Sequence, residues 1–247
     1  MSSSGSTAGL HDETYWERAA RTRWGAYLTE QEREALELGA AAAGEPALAV
    51  EVGCEGGRWS KLLHDKGWRM ICMDVDADSL AVCQQRIPEA TCVLVDPSDR
   101  RIGVDSGTAR LLLVFEVAPV SQRPEFPSEA ARVLEPGGIL VCSYYNPASA
   151  RGLAYRVLRR LESMRRGSTD SPRFHPGFYE GDSYRAFRAA LRQHGFQILR
   201  ETGVSWFPFS RESNSRLIPP STRLEQGLGL RRVPSLSPID LLVARRA

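Results

Sequence analysis

Short apolar runs alternate with helical patterns along the first 150 residues. The runs are Leu48–Val52, Trp68–Met73, Thr91–Val95, Leu111–Phe115 and Gly138–Cys142. Between them, Trp59–Lys66, Ser79–Arg86 and Pro127–Leu134 carry apolar residues at helical spacing. Strands that are apolar throughout, instead of on alternate residues, are covered on both faces. Their alternation with helices predicts βαβ units and a parallel sheet with helices on either side.

The ends of these strands carry acids. Glu51, Asp74, Asp96 and Glu116 fall at or just after the last residues of four runs. In open α/β sheets, ligands bind off the carboxyl ends of the strands. The first run leads into Gly53-Cys54-Glu55-Gly56-Gly57 and then a helix. A turn that binds pyrophosphate needs Gly-x-Gly-x-x-Gly, so that backbone N–H groups can approach the anion. Here Glu55 and Arg58 stand where the second and third glycines belong. A carboxylate at that place repels pyrophosphate but suits a nucleoside that carries positive charge. Asp74 lies 21 residues after Gly53, near the spacing at which an acid accepts hydrogen bonds from a ribose diol. Taken alone, the glycines equally suit a tight strand-to-helix turn. Four acids on one rim shift the balance toward a ligand site.

The segments Glu51–Gly57, Asp74, Asp96 and Ala131-Arg-Val-Leu-Glu-Pro-Gly-Gly138 together resemble the class I S-adenosylmethionine-dependent methyltransferases of the small-molecule, type 11-like kind. The likeness covers roughly residues 12–246 and is strongest from Ala47 to Asn146. It implies a Rossmann-like methyltransferase fold: a doubly wound, seven-stranded, mostly parallel sheet with an antiparallel last strand. The sixth strand would be Gln197–Val204 and the seventh Ile239–Ala244. It implies S-adenosyl-L-methionine as cofactor and a small-molecule acceptor. Glu51, Gly53 and Cys54 would border the methionine part. Asp74 would bind the ribose and Val75 would pack near the adenine. Asp96 and Pro97 would lie at the adenine amino edge, with Phe115 and Glu116 flooring the site near the transferred methyl.

Two positions depart from that pattern. Glu55 stands where the relatives have glycine, and a side chain there resists positive φ. The stretch Glu116-Val117-Ala118-Pro119-Val120 lacks the histidine that relatives place after the fourth strand. Candidates for acceptor chemistry therefore come from elsewhere. Tyr144 and Asn146 leave the end of the fifth strand, and His175 lies in an aromatic stretch, Phe174–Tyr179.

The chain is expected to have a flexible tail over 1–11 and a single domain over 12–247. Residues 12–38 read as one helix whose stripe Tyr15, Trp16, Ala19, Trp24 and Tyr27 suits either a lid over the cofactor or ordinary packing. Tyr15 and Tyr27 are its candidate pocket-facing tips. Inserts are expected at 147–182 and 205–237, the second of them irregular, as pocket wall or dimer contact. Their aromatic content suggests a hydrophobic acceptor.

Charge and cysteines narrow the classes. Residues 1–150 hold 14 Lys+Arg against 22 Asp+Glu, whereas residues 151–247 hold 18 arginines against 8 acids. The basic half reads as a solvated arginine face or a rim that steers an anion; no aromatic–basic motif suggests nucleic acid. No run reaches the ~20 residues of a membrane span, and the N-terminus has no secretory pattern. Five cysteines without a Cys-x-x-Cys pair predict free thiols, a cytoplasmic setting and no zinc. Two rival readings keep the fold without methyl transfer: a cofactor-holding module that works through a partner, and a cyclase or isomerase. A nicotinamide enzyme ranks last. Composition leaves the oligomeric state open.

Overall fold

The computed structural model describes residues 14–166 and 178–247. Within them the seven strands are β1 (Leu48–Val52), β2 (Arg69–Asp74), β3 (Thr91–Leu94), β4 (Ala109–Val114), β5 (Leu134–Tyr145), β6 (Phe196–Val204) and β7 (Ile239–Arg246). They form one sheet in the order β3-β2-β1-β4-β5-β7-β6. The first five are parallel, and β7 runs antiparallel to both β5 and β6. This is the doubly wound, Rossmann-like architecture expected above. The order reverses beside β1, so the crevice over β1 and β4 is the topological switch point.

Helices cover both faces. On one side, α2 (Arg23–Ala43), α3 (Arg58–His64) and α4 (Ala77–Arg86) enclose Ala49, Leu111, Leu113 and Val141 with Trp24, Leu36 and Leu63. On the other, α5 (Ala118–Ser121), α6 (Phe126–Val133) and α8 (Tyr184–Gln193) flank Val50, Leu112, Leu140 and Tyr144, with Phe126 and Phe187 inside. Strand residues alternate between the two cores, as the pleat requires. β5 is longer than its apolar run, because Ser143, Tyr144 and Tyr145 continue the ladder against Leu241, Asp240 and Ile239.

The single helix expected over 12–38 is two. α1 (Tyr15–Ala20) ends at Arg21, and α2 begins after Thr22. Thr22 Oγ1 accepts from Gly25 N at 3.1 Å, an N-cap that restarts the helix. A Cβ on Gly25 would stand 1.9 Å from Ala19 O, so the corner requires glycine. The expected insert 147–182 contains α7 (Ala150–Arg166), and residues 167–177 lie outside the described residues. The insert 205–237, expected to be irregular, holds α9 (Ile218–Gly227) and two short 3-10 turns.

Candidate functional site

The β1–α3 turn is built around two carbonyl bonds and one carboxylate. Gly53 N and Cys54 N both donate to Met73 O, at 2.7 and 3.1 Å. A Cβ on Gly53 would lie 2.3 Å from Val117 Cγ2, and its φ is 75°, so glycine is required twice over. Glu55 adopts φ 48° despite its side chain, a conformation that costs of order 1–3 kcal/mol. Its N–H donates to Asp74 Oδ2 at 2.8 Å, while Asp74 Oδ1 accepts from Asp76 N at 3.0 Å. Asp74 thus anchors the turn with both carboxylate oxygens. The Glu55 carboxylate turns toward α1 and accepts from Trp16 N at 3.4 Å.

Carboxylates and guanidiniums interlock above β1 and β4. Glu116 follows β4 with φ 61°, and its N–H donates to Ser143 Oγ at 2.7 Å. The Tyr145 hydroxyl donates to Glu116 Oε2. Arg211 Nη2 lies 2.5 Å from Glu116 Oε1 and 3.4 Å from Glu32 Oε1. Arg58 Nη2 lies 3.2 Å from Glu32 Oε2. Trp16 covers the Arg211 guanidinium at 4.2 Å, and Trp59 covers that of Arg58 at 4.3 Å, cation–π contacts in both cases. Burial opposes the Arg211 charge, but Glu116 and Glu32 hold its pKa above the ordinary value. Burial raises Glu32 to about 6. Burial also raises Tyr145, with Glu116 adding to the effect. Glu51, 3% exposed, accepts from Ser60 Oγ and is pushed up to about 8 by burial.

Two cavities meet this rim. One, about 30 Å³, is lined by Glu51, Gly53, Cys54, Glu55, Phe115 and Glu116, and also by Trp16, Glu32, Arg58 and Trp59. The other, about 200 Å³, is mainly apolar and is lined by Val52, Met73, Val75, Asp96, Pro97 and Ile102 among others. Gly53 belongs to the first and its neighbour Val52 to the second. Hydrogen bonds from Ser98 N and Oγ lower the Asp96 pKa.

Most of the sequence candidates converge here: Glu51, Gly53, Cys54, Phe115 and Glu116 on the small cavity, and Val75, Asp96 and Pro97 on the large one. Tyr15 is 43% exposed, whereas its neighbour Trp16 lines the small cavity. Tyr27 donates to Glu225 of α9. Tyr144 stacks on Phe187 at 4.0 Å and donates to Asp182 O at 2.7 Å, in the core on the α6/α8 side. Tyr145 occupies the opposite face and reaches Glu116. The strand alternation that separates them is a period of two; only the register of β5 says which tyrosine faces the crevice. His175 lies outside the described residues. Glu32, Arg58, Tyr145 and Arg211 were missed. Arg211 comes from an insert about 95 residues after Glu116 (211 − 116), and no local pattern joins the two.

The fold also gathers cysteines that the sequence keeps apart. The sulfurs of Cys54, Cys72 and Cys83 all lie within 4.8 Å of one another, a group with the reach to hold a metal ion. Cys72 Sγ lies 3.1 Å from Ser60 Oγ, which in turn donates to Glu51.

Residues 50–142 match a family model described as a methyltransferase domain. No curated protein matches the sequence. Among solved structures, the chain is similar to magnesium protoporphyrin IX methyltransferase from Synechocystis PCC 6803, with bound SAH (16% identity, TM-score 0.60, 94% of this chain and 92% of that one). It is also similar to an S-adenosylmethionine-dependent methyltransferase from Mesorhizobium loti (19% identity, TM-score 0.57, 87% of this chain and 97% of that one). A third is geranyl diphosphate C-methyltransferase from Streptomyces coelicolor A3(2) (15% identity, TM-score 0.57, 90% of this chain and 82% of that one). At these identities the likeness is one of fold.

Proposed function

We propose that this chain, a class I methyltransferase fold whose residues 50–142 match a methyltransferase domain, transfers a methyl group from S-adenosyl-L-methionine to a small hydrophobic acceptor. The observation that carries the reading is the acid-lined rim at the switch point: Glu51, Glu116 and Asp74 converge on one glycine turn. This donor set fits a cofactor that bears an ammonium and a sulfonium. When bound, the cofactor supplies an electrophilic methyl whose departure leaves a neutral thioether.

The remaining chemistry belongs to the chain. Glu51 and Glu116 favour positive charge in a site that excludes water. Asp74 accepts from a ribose diol while it steadies the turn through Glu55 N. Val75, Met73 and Ile102 form an apolar slot for a nucleobase, with Asp96 and Pro97 at its edge. The small cavity is too tight for an amino-acid moiety as it stands. Arg211, Arg58 and Trp16 fill the space beside it, so α1 and the 205–217 segment act as a lid that withdraws on loading. The Arg211 guanidinium holds, in the closed form, charge that the cofactor's own cations replace, while Arg58 stays on α3 beside Glu32.

Tyr145 and Glu116 form the acid–base pair of this proposal. An acceptor hydroxyl or amine gives its proton to Glu116, directly or through Tyr145; a carbon acceptor also needs a base only if it loses a proton. The partly buried aromatic side chains Phe178, Phe207 and Phe209, and Tyr179 beside Tyr145 at 5.4 Å, support an apolar acceptor. Five free cysteines support a cytoplasmic setting.

The test is a panel of apolar hydroxylated, phenolic and prenylated compounds, incubated with the protein and labelled S-adenosyl-L-methionine. A protein-dependent mass gain of one methylene on an apolar compound supports the reading. Products of unchanged mass, or label on polar compounds alone, contradict it.

A further inference from the structure

We propose that α7 docks the protein on an anionic lipid surface. The helix is amphipathic, but its apolar face points outward. Leu153, Val157, Leu161 and Met164 follow one another at spacings of four, four and three, so they form a single stripe along the helix. They are 49%, 58%, 46% and 65% exposed, and the neighbouring Leu158 is 56% exposed. The inward face is occupied otherwise. Gly152 is buried, Arg151 donates to Ser205 Oγ at 2.8 Å, and Tyr155 meets Tyr179 at 5.3 Å. Arg159 pairs with Glu180. Among the described residues, the outward stripe is therefore surplus to the packing of the domain, and a contiguous exposed apolar patch marks a docking site.

Charge selects the occupant. Between residues 150 and 166 stand Arg151, Arg156, Arg159, Arg160, Arg165 and Arg166, against Glu162 alone. Arg156 and Arg160 border the stripe on one side and Arg165 borders it on the other, and all three are exposed. An apolar stripe flanked by arginines is the pattern of a helix lying in the headgroup plane of an anionic membrane. A second copy of the chain fits less well, because pairing two such faces sets arginine against arginine. No helix among the described residues is long and apolar enough to cross a membrane, so the contact is a surface one. The inference stands apart from the methyl-transfer reading, since it concerns binding and not turnover. Both readings converge on one layout: the inward face of α7 reaches Tyr145 through Tyr155 and Tyr179, which sets the acceptor wall beside the lipid.

The experiment is vesicle flotation of the full chain, with phosphatidylcholine alone and with phosphatidylcholine containing phosphatidylglycerol. The expected result is flotation with the anionic vesicles only, reversed by high salt. Val157→Glu with Leu161→Glu should lower partitioning roughly tenfold or more, since two apolar side chains lose their burial. Both sites are exposed, so the melting temperature should not change. Arg156→Gln with Arg160→Gln should weaken binding and flatten its salt dependence. The proposal is overturned if the anionic vesicles do not float the protein at low salt, or if the double glutamate variant floats as well as the parent. It is also overturned if the parent is a dimer that this variant splits and neither form binds vesicles.

Discussion

The Arg211 guanidinium lies 2.5 Å from the Glu116 carboxylate, joining an insert after β6 to the residue that follows β4. The same guanidinium touches Glu32 of α2 and lies under Trp16 of α1. One cation thus closes three elements over the crevice. Replacing Arg211 with Met should destabilise the ligand-free protein by about 3 kcal/mol, because Glu116 loses its ion-pair partner and keeps only the Tyr145 hydroxyl, and buried Glu32 is left with Arg58 alone. If the latch must open for loading, the same variant should bind S-adenosylhomocysteine more tightly than the parent. Chemical denaturation and titration calorimetry measure the two effects. Weaker binding would mean that Arg211 holds the ligand instead of excluding it.

Glu51 should make stability pH-dependent. Burial raises its pKa from 4.5 in the unfolded reference to about 8. The folded state therefore favours the protonated form. Its contribution is complete below pH 4.5 and is lost as pH rises through 8. Melting temperature should fall across the whole of that window, between pH 4.5 and 8, and Glu51→Gln should remove this component of the slope. Binding of a cationic ligand favours the ionised carboxylate, so binding near neutral pH should release a proton. Calorimetry in buffers of different ionisation enthalpy reads that release. An unchanged slope in the variant would sink the assignment.

Tyr145 and Tyr144 should separate cleanly. Tyr145→Phe removes the hydroxyl that reaches Glu116 and should lower kcat with little change in KM for the cofactor. Tyr144→Phe removes a bond to Asp182 O on the far face and should cost about 1 kcal/mol of stability with kcat retained. The reverse outcome would move the acceptor chemistry to the other side of the sheet.

Asp74→Ala should weaken cofactor binding by roughly tenfold or more, as an acceptor to a hydroxyl pair is lost. Asp74→Asn keeps one acceptor oxygen for Glu55 N and should fall between the two. Equal affinity in all three proteins would remove the ribose role from this residue.

The sheet was legible because parallel strands buried on both faces are apolar along their whole length. Leu111–Phe115 needed no tertiary information to be read, and β4 is found at Ala109–Val114. The acids at the strand ends were legible for the same reason: each strand marks its own end. The break between α1 and α2 was written in Thr22 and Gly25, yet the apolar stripe runs through both helices and hides it. β5 outgrew its run since β7 pairs with Tyr144 and Tyr145, and Asp240 lies 96 positions after Tyr144 (240 − 144). The Arg211 latch and the Cys54–Cys72–Cys83 group were hidden for that reason too. Both depend on where the fold brings distant residues, and local spacing carries no trace of it.

We propose the rim above β1 and β4 as the site for a cationic adenosyl donor. The direct measurement is titration calorimetry of the folded protein with S-adenosyl-L-methionine, S-adenosylhomocysteine and NAD, paired with thermal melting. The expected result is one-site binding of the first two and none of NAD. At about 100 times the dissociation constant, either adenosyl ligand should add about 2.7 kcal/mol of stability. Well-folded protein that gives neither heat nor a melting shift with either ligand would contradict the claim.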